Sequence, residues 1–120
     1  MRFARMNFDD FSEADLRGAD LIATDMCRAK FRFADLRDAQ LRSANLREAD
    51  FRGANLTRAV LMKANLRGAD LAGAVLRAAD LRGANLQGAN LAYADLDGAL
   101  LPAGFGQQEG SGSGPGPAAR

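Results

Sequence analysis

From Met6 to Leu101 every fifth residue is Leu, Phe or Met, in all twenty positions. Two residues before each of these stands Ala in eighteen cases of twenty, Asp9 and Thr24 being the exceptions, and the residue between the two is Asp or Asn in fourteen. Neither ordinary element supports a period of five. At about 100° per residue, five helical residues advance roughly 500°, so the large side chains would spiral around a helix without forming a stripe. Five is also odd, and in a straight strand successive large residues would point to opposite faces. Both objections disappear if the chain turns once in every unit, so that Ala and the large residue point inward and the other three point outward. The pattern predicts a solenoid.

A second period fixes the number of units per coil. Phe11, Phe31 and Phe51 are the only aromatic residues in the large column and lie 20 apart, as do its only methionines, Met6 and Met26. Four units per coil stack them directly, as aromatic ladders do between neighbouring rungs. Twenty units then make five four-sided coils, and at about 4.8 Å per rung the rod is on the order of 24 Å tall. The Asp/Asn column suits tight turns, where a short polar side chain bonds to nearby backbone. Gly18, Gly53, Gly68, Gly73, Gly83, Gly88 and Gly98, two residues after the large one, supply permissive torsions. The pattern stops after Pro102, which divides the chain into a solenoid over 1–103 and a flexible Gly/Ser/Pro-rich tail over 104–120.

Units such as Ala14-Asp15-Leu16-Arg17-Gly18 and Ala84-Asn85-Leu86-Gln87-Gly88, repeated in tandem, resemble the pentapeptide repeat family. The resemblance implies an all-β fold, a right-handed quadrilateral parallel β-helix whose interior holds the large residue and the preceding Ala. The handedness comes from the resemblance alone. Family members with a known role include proteins that bind DNA gyrase or topoisomerase and protect against quinolones or other gyrase poisons, in part by resembling duplex DNA in shape and charge.

Composition narrows the chemistry. The 120 residues include no histidine and one cysteine, Cys27, so an internal disulfide is excluded and a reducing, cytoplasmic setting is expected. The serines Ser12, Ser43, Ser111 and Ser113 lack a base in sequence context, and the carboxylates recur as a pattern element without a distinctive pair. No metal-ligand or calcium-loop spacing is present. The expectation is a protein that is not an enzyme and has neither cofactor nor metal. Nor does any apolar run approach the roughly 20 residues of a membrane span.

Net charge is +1, but its distribution is uneven: residues 27–67 carry 10 basic and 4 acidic residues, against 3 and 6 in residues 1–26. Arg32, Arg37, Arg42, Arg47 and Arg52 occupy five successive units and are expected to encircle the rod as a belt. The belt reads first as a solvated, salt-bridged surface and second as an anion-binding element, the latter giving weak nucleic-acid binding. The side built on Leu21, Leu41, Leu61, Leu81 and Leu101 carries Ile22, Val60, Met62, Leu100 and Pro102 outward with Arg42, Lys63 and Arg82 and only Asp20 and Asp80 as acids, a composition suited to a protein partner. The side around Leu16 carries Asp15, Asp35, Asp38, Asp95 and Asp97 against Arg17, Arg37, Arg58 and Arg77, too balanced for a mimic of DNA.

The first reading is therefore a non-catalytic scaffold that binds another protein through its faces, with gyrase or topoisomerase protection as the specific alternative. At the start of the rod, Phe3 and Phe8 are expected to fold over the first coil. At its finish Leu100, Leu101 and Phe105 form either a homodimer junction through the C-terminal coil or an inward plug on a monomer.

Overall fold

The computed structural model describes residues 3–105. Sixteen parallel β-bridges join residues 20 apart, from Arg5–Asp25 through Asp80–Leu100, so four units make one coil and each side of the rod is one column of stacked units. No helix occurs among the described residues. The two short axes, 20 and 19 Å, are nearly equal, as a four-sided coil requires.

One unit shows how the backbone is satisfied. Around Leu36, the amide of Leu36 donates to the carbonyl of Asn55 in the next coil, that of Asp38 donates to Thr57, and that of Asp35 donates back to Ala14 in the previous coil. The amide of Ala39 closes a turn onto the Leu36 carbonyl at 3.0 Å. The fifth amide, of Arg37, donates to Oδ1 of Asp35 at 3.3 Å. Every backbone donor of the unit thus has a partner, and three of the five bonds hold coil to coil.

That fifth bond explains the Asp/Asn column. All fourteen Asp and Asn residues in it accept the amide two residues on, from Asp10 with Ser12 to Asp95 with Asp97. In the last unit Leu100 holds this position and offers no acceptor, and the residue two further on is Pro102, which has no amide to satisfy.

The turn itself places its third residue at positive φ in every unit from residue 3 to residue 98, the mark of a type II turn. Glycine meets this demand without strain at seven of these twenty positions. Thirteen others, including Ala23, Ala78 and Arg58, adopt φ of 58–64° despite their Cβ. The coil-to-coil bonds over-determine the backbone there, which is the condition under which such strain persists. Gly53 has a second reason to be glycine: a Cβ would come within 2.5 Å of the Phe33 ring lying over it.

The core is the predicted one. Phe31, Phe51, Met26 and the leucines from Leu36 to Leu81 are fully buried, with alanines packed between them. Phe31 stacks on Phe51 at 4.7 Å between ring centroids and on Phe11 at 5.3 Å, so the 20-residue aromatic period is a continuous ladder. Thr24, an exception in the Ala column, is buried too, and its hydroxyl donates to the Leu21 carbonyl at 2.7 Å. Asp9, the other exception, lies in the first coil, where it is exposed to water.

The ends differ from the expectation. Phe3 and Phe8 do not cover the first coil: they are 74% and 63% exposed, because both occupy the outward, positive-φ turn position. Phe8 instead lies under the Arg28 guanidinium, 5.8 Å from the ring centroid. Met6, Phe11 and Leu16 are accordingly only half-buried. At the other end Leu101 and Phe105 are half-buried against the core, Phe105 donating its amide to Pro102, whereas Leu100 is exposed. The expected flexible tail, apart from Gly104 and Phe105, lies outside the described residues.

Candidate protein-interaction surface

Each unit sends three side chains outward, and the first of them, the capping residue, largely decides the electrostatic state of the next. Where Asp caps and Arg follows two residues later, the arginine folds back on the carboxylate as a two-bond fork. Nε and Nη2 of Arg17, Arg37, Arg52 and Arg82 donate to the two oxygens of Asp15, Asp35, Asp50 and Asp80 at 2.6–2.9 Å. The Arg17 fork, with the Arg17 amide behind it, holds the Asp15 carboxyl down at about 2. The same cause lowers Asp35, Asp50 and Asp80. Further pairs bridge successive coils, Arg58 with Asp38 at 2.9 Å and Arg28 with Glu48 at 2.6 Å.

Where Asn caps, the fork is absent. Asn45 and Asn65 accept the amides of Arg47 and Arg67 at 3.2 and 3.1 Å, as Asp does elsewhere, but offer the guanidinium no charge. Among the described residues no ion pair engages Arg47 or Arg67, nor Arg42 or Lys63 in the turns of the preceding side. The capping positions of these units are Gln40, Asn45, Val60 and Asn65, all neutral.

The arginine sequence Arg32–Arg52 is therefore not one uniform belt. Arg37 and Arg52 are committed to forks, and Arg32 approaches Asp50 at 3.9 Å. Arg42 and Arg47 have no ion pair among the described residues, and Arg67, which sequence reasoning passed over, joins them. The signal was present as Asn, not Asp, two residues before the arginine. On the side built on Leu21, the structure places Ile22, Val60 and Met62 half-buried and outward, with Arg42 and Lys63 exposed beside them. Arg82, counted with that group, is tied to Asp80 at 2.6 Å. No group of His, Cys, Asp or Glu among the described residues is placed to hold a metal ion. Cys27 is half-buried. Nor is any helix among the described residues long and apolar enough to cross a membrane.

The repeat matches a known family. The family model described as pentapeptide repeats matches residues 10–47, 39–77 and 64–101. Among solved structures the chain is similar to alr5209, a pentapeptide repeat protein from Nostoc PCC 7120, at 44% identity over 80% of this chain and 76% of that one, with a TM-score of 0.49. It is also similar to Rfr23, a pentapeptide repeat protein from the cyanobacterium Cyanothece 51142, at 27% identity over 83% and 86% of the two chains, TM-score 0.42. QnrB1, a plasmid-mediated fluoroquinolone resistance protein, matches at 30% identity over 75% of this chain and 46% of its own, TM-score 0.39. No curated protein matches.

Proposed function

Because the chain belongs to the pentapeptide repeat family, we propose that it is a non-catalytic interaction rod whose outward columns bind another protein in the cytoplasm. The observation that carries the reading is the division of labour within each unit. Inward residues fill the core and the Asp and Asn caps are occupied with backbone, which leaves the turn positions and the apolar cap Val60 as the chemistry available to a partner. The side holding Ile22, Val60 and Met62 beside Arg42 and Lys63 is the proposed contact face, since half-buried apolar groups flanked by cations with no ion pair among the described residues are a common interface composition. Affinity capture with the wild type and with Val60→Asp/Met62→Asp tests it. A partner retained equally by both proteins overturns the assignment of this face.

Gyrase or topoisomerase protection is the alternative. It asks for a surface dominated by free carboxylates, and on the side around Leu16 the acids Asp15, Asp35, Asp38, Asp95 and Asp97 all lie in ion pairs with arginines. Quinolone-protected supercoiling by gyrase in the presence of the protein would replace the scaffold reading. Nucleic-acid binding through the arginine belt is weakened by the forks at Arg37 and Arg52, and a salt-dependent mobility shift tests it.

We further propose a homodimer joined through the C-terminal coil. The amides of Leu86, Leu91 and Leu96 have no backbone partner among the described residues, and Leu100 is exposed next to half-buried Leu101 and Phe105. Light scattering over a range of concentrations checks this. A dimer converted to monomer by Leu100→Arg is the expected result, and a monomer throughout defeats it.

A further inference from the structure

We infer that Arg47 and Arg67, together with Arg42 and Lys63, form a docking patch for an acidic, aliphatic-containing segment of a partner protein. The inference deepens the protein-binding reading above and rests on it. Its basis is a local exception in the electrostatics of the rod. Elsewhere, an arginine that follows a capping Asp is neutralised within its own unit, as at Arg17, Arg37, Arg52 and Arg82. Across two neighbouring sides and two neighbouring coils, the four capping positions are instead Gln40, Asn45, Val60 and Asn65.

The four cations that belong to these units lie in register. Asn45 bridges Asn65 and Gln40 bridges Val60, so Arg47 stands one rung, about 4.8 Å, from Arg67, and Arg42 stands one rung from Met62. Lys63 follows Met62 directly, and its stem lies against Gly83, where a Cβ would come within 3.2 Å of it. One carboxylate, Glu48, sits among them, and it is already bound by Arg28 at 2.6 Å; Arg47 and Arg67 lower it further without pairing with it. Asp20, Asp25 and Asp80 border the patch one rung away, and Arg42 lowers Asp80 without pairing with it, so among the described residues the four cations keep a surplus of positive charge with no ion pair.

Charge alone would serve a phosphate backbone as well as a peptide. The neighbours decide for peptide: Val60 and Met62 are half-buried and outward beside Arg42 and Lys63, and no aromatic side chain occupies these units to stack on a base. An acidic segment with aliphatic residues between its carboxylates meets both features, carboxylates on the guanidinium groups and aliphatic groups on Val60 and Met62.

The experiment is fluorescence anisotropy with a short labelled peptide of Glu-Glu-Leu repeats and, in parallel, a labelled DNA duplex. Wild type is compared with Arg47→Glu/Arg67→Glu, with Asn45→Asp/Asn65→Asp, and with Arg17→Gln on the opposite side of the rod. The Asn→Asp pair keeps the caps and both arginines and offers each guanidinium a fork of its own, but it gives up the Asn45 Nδ2 bond to Asp25 at 3.1 Å, so a thermal melt of each variant separates loss of free charge from loss of fold. Salt-sensitive peptide binding that weakens roughly tenfold in both double variants and is unchanged in Arg17→Gln is the expected result. No peptide binding by the wild type, equal binding in the double variants, or tighter binding of the duplex overturns the inference. A native partner captured equally by wild type and Arg47→Glu/Arg67→Glu removes this patch and leaves protein binding standing. Failure to capture any partner removes the reading beneath it.

Discussion

Two opposite sides of the rod are built on the same backbone and differ in where their capping and turn carboxylates fall. On the side carrying Leu16, Leu36, Leu56 and Leu76, every arginine in the turns, Arg17, Arg37, Arg58 and Arg77, is held by an aspartate. On the side carrying Met26, Leu46 and Leu66, Asn45 and Asn65 cap the turns and Arg47 and Arg67 have no ion pair among the described residues. The cap bonds are of similar length on both sides, 3.2 Å at Arg17 and 3.1 Å at Arg67. Capping the backbone and neutralising the surface are thus separable duties of one position. Asp performs both; Asn performs the first and, at Asn45 and Asn90, also donates Nδ2 to the Asp25 and Asp70 caps one rung away, which a carboxylate cannot do.

The comparison presumes a shared core, and the largest effect comes from removing it. Leu56 is fully buried in the middle coil, so Leu56→Ala should destabilise the rod by about 2–5 kcal/mol in denaturant titration, and Leu56→Asp should prevent folding. A soluble, cooperatively melting Leu56→Asp protein would refute the inward register. Next in size is the cap. Asp35→Ala and Asn65→Ala should each lose about 1 kcal/mol through the orphaned amide. Loss confined to Asp35→Ala would mean that the ion pair, not the cap, supplies the stability.

The turn strain is common to both sides and should yield a smaller gain. Ala78→Gly relieves a Cβ at φ 58°, and thermal denaturation should rise by an amount equivalent to about 0.5–1 kcal/mol. An unchanged or lowered midpoint would show the coil bears the left-handed turn without strain.

The finest distinction is pH. Asp15 and Asp35 have carboxyls lowered by their arginines, Asp15 to about 2, so they are more acidic folded than unfolded. Their contribution is complete above the ordinary Asp range near pH 4 and is lost as pH falls toward 2. Thermal midpoints followed from pH 5 to pH 2 should fall less steeply in Asp15→Asn/Asp35→Asn than in the wild type. Parallel curves would mean that the forks do not contribute to stability.

The inward columns, the four-unit coil and the Phe11–Phe31–Phe51 ladder were legible in the sequence because they recur, and recurrence reveals contacts between residues 20 apart. The capping role of the Asp/Asn column was legible as well, through the preference of short polar side chains for turns. Three things were not. Thirteen residues with side chains take the turn torsion that seven glycines announce, because coil stacking, which no single unit encodes, imposes it. Phe3 and Phe8 belong to that same turn column, and their apolar character suggested a lid where position dictated exposure. The pairing state of Arg37 or Arg47 depends on reach to a carboxylate two residues away, a distinction that counting charges along the chain averages out.

The bridge offset of 20 residues has a consequence for how such a molecule can change over generations. Gain of a single five-residue unit would keep every inward position inward, yet it would rotate all later turn columns by a quarter turn relative to the earlier ones. Outward residues that had formed one stripe would part company, and others would meet for the first time. Gain of four units would instead lengthen the rod by one rung and leave every stripe aligned. The lineage of a repeat rod can therefore redraw its recognition pattern in discrete steps, by duplication alone, without a point mutation in either the interior or the surface.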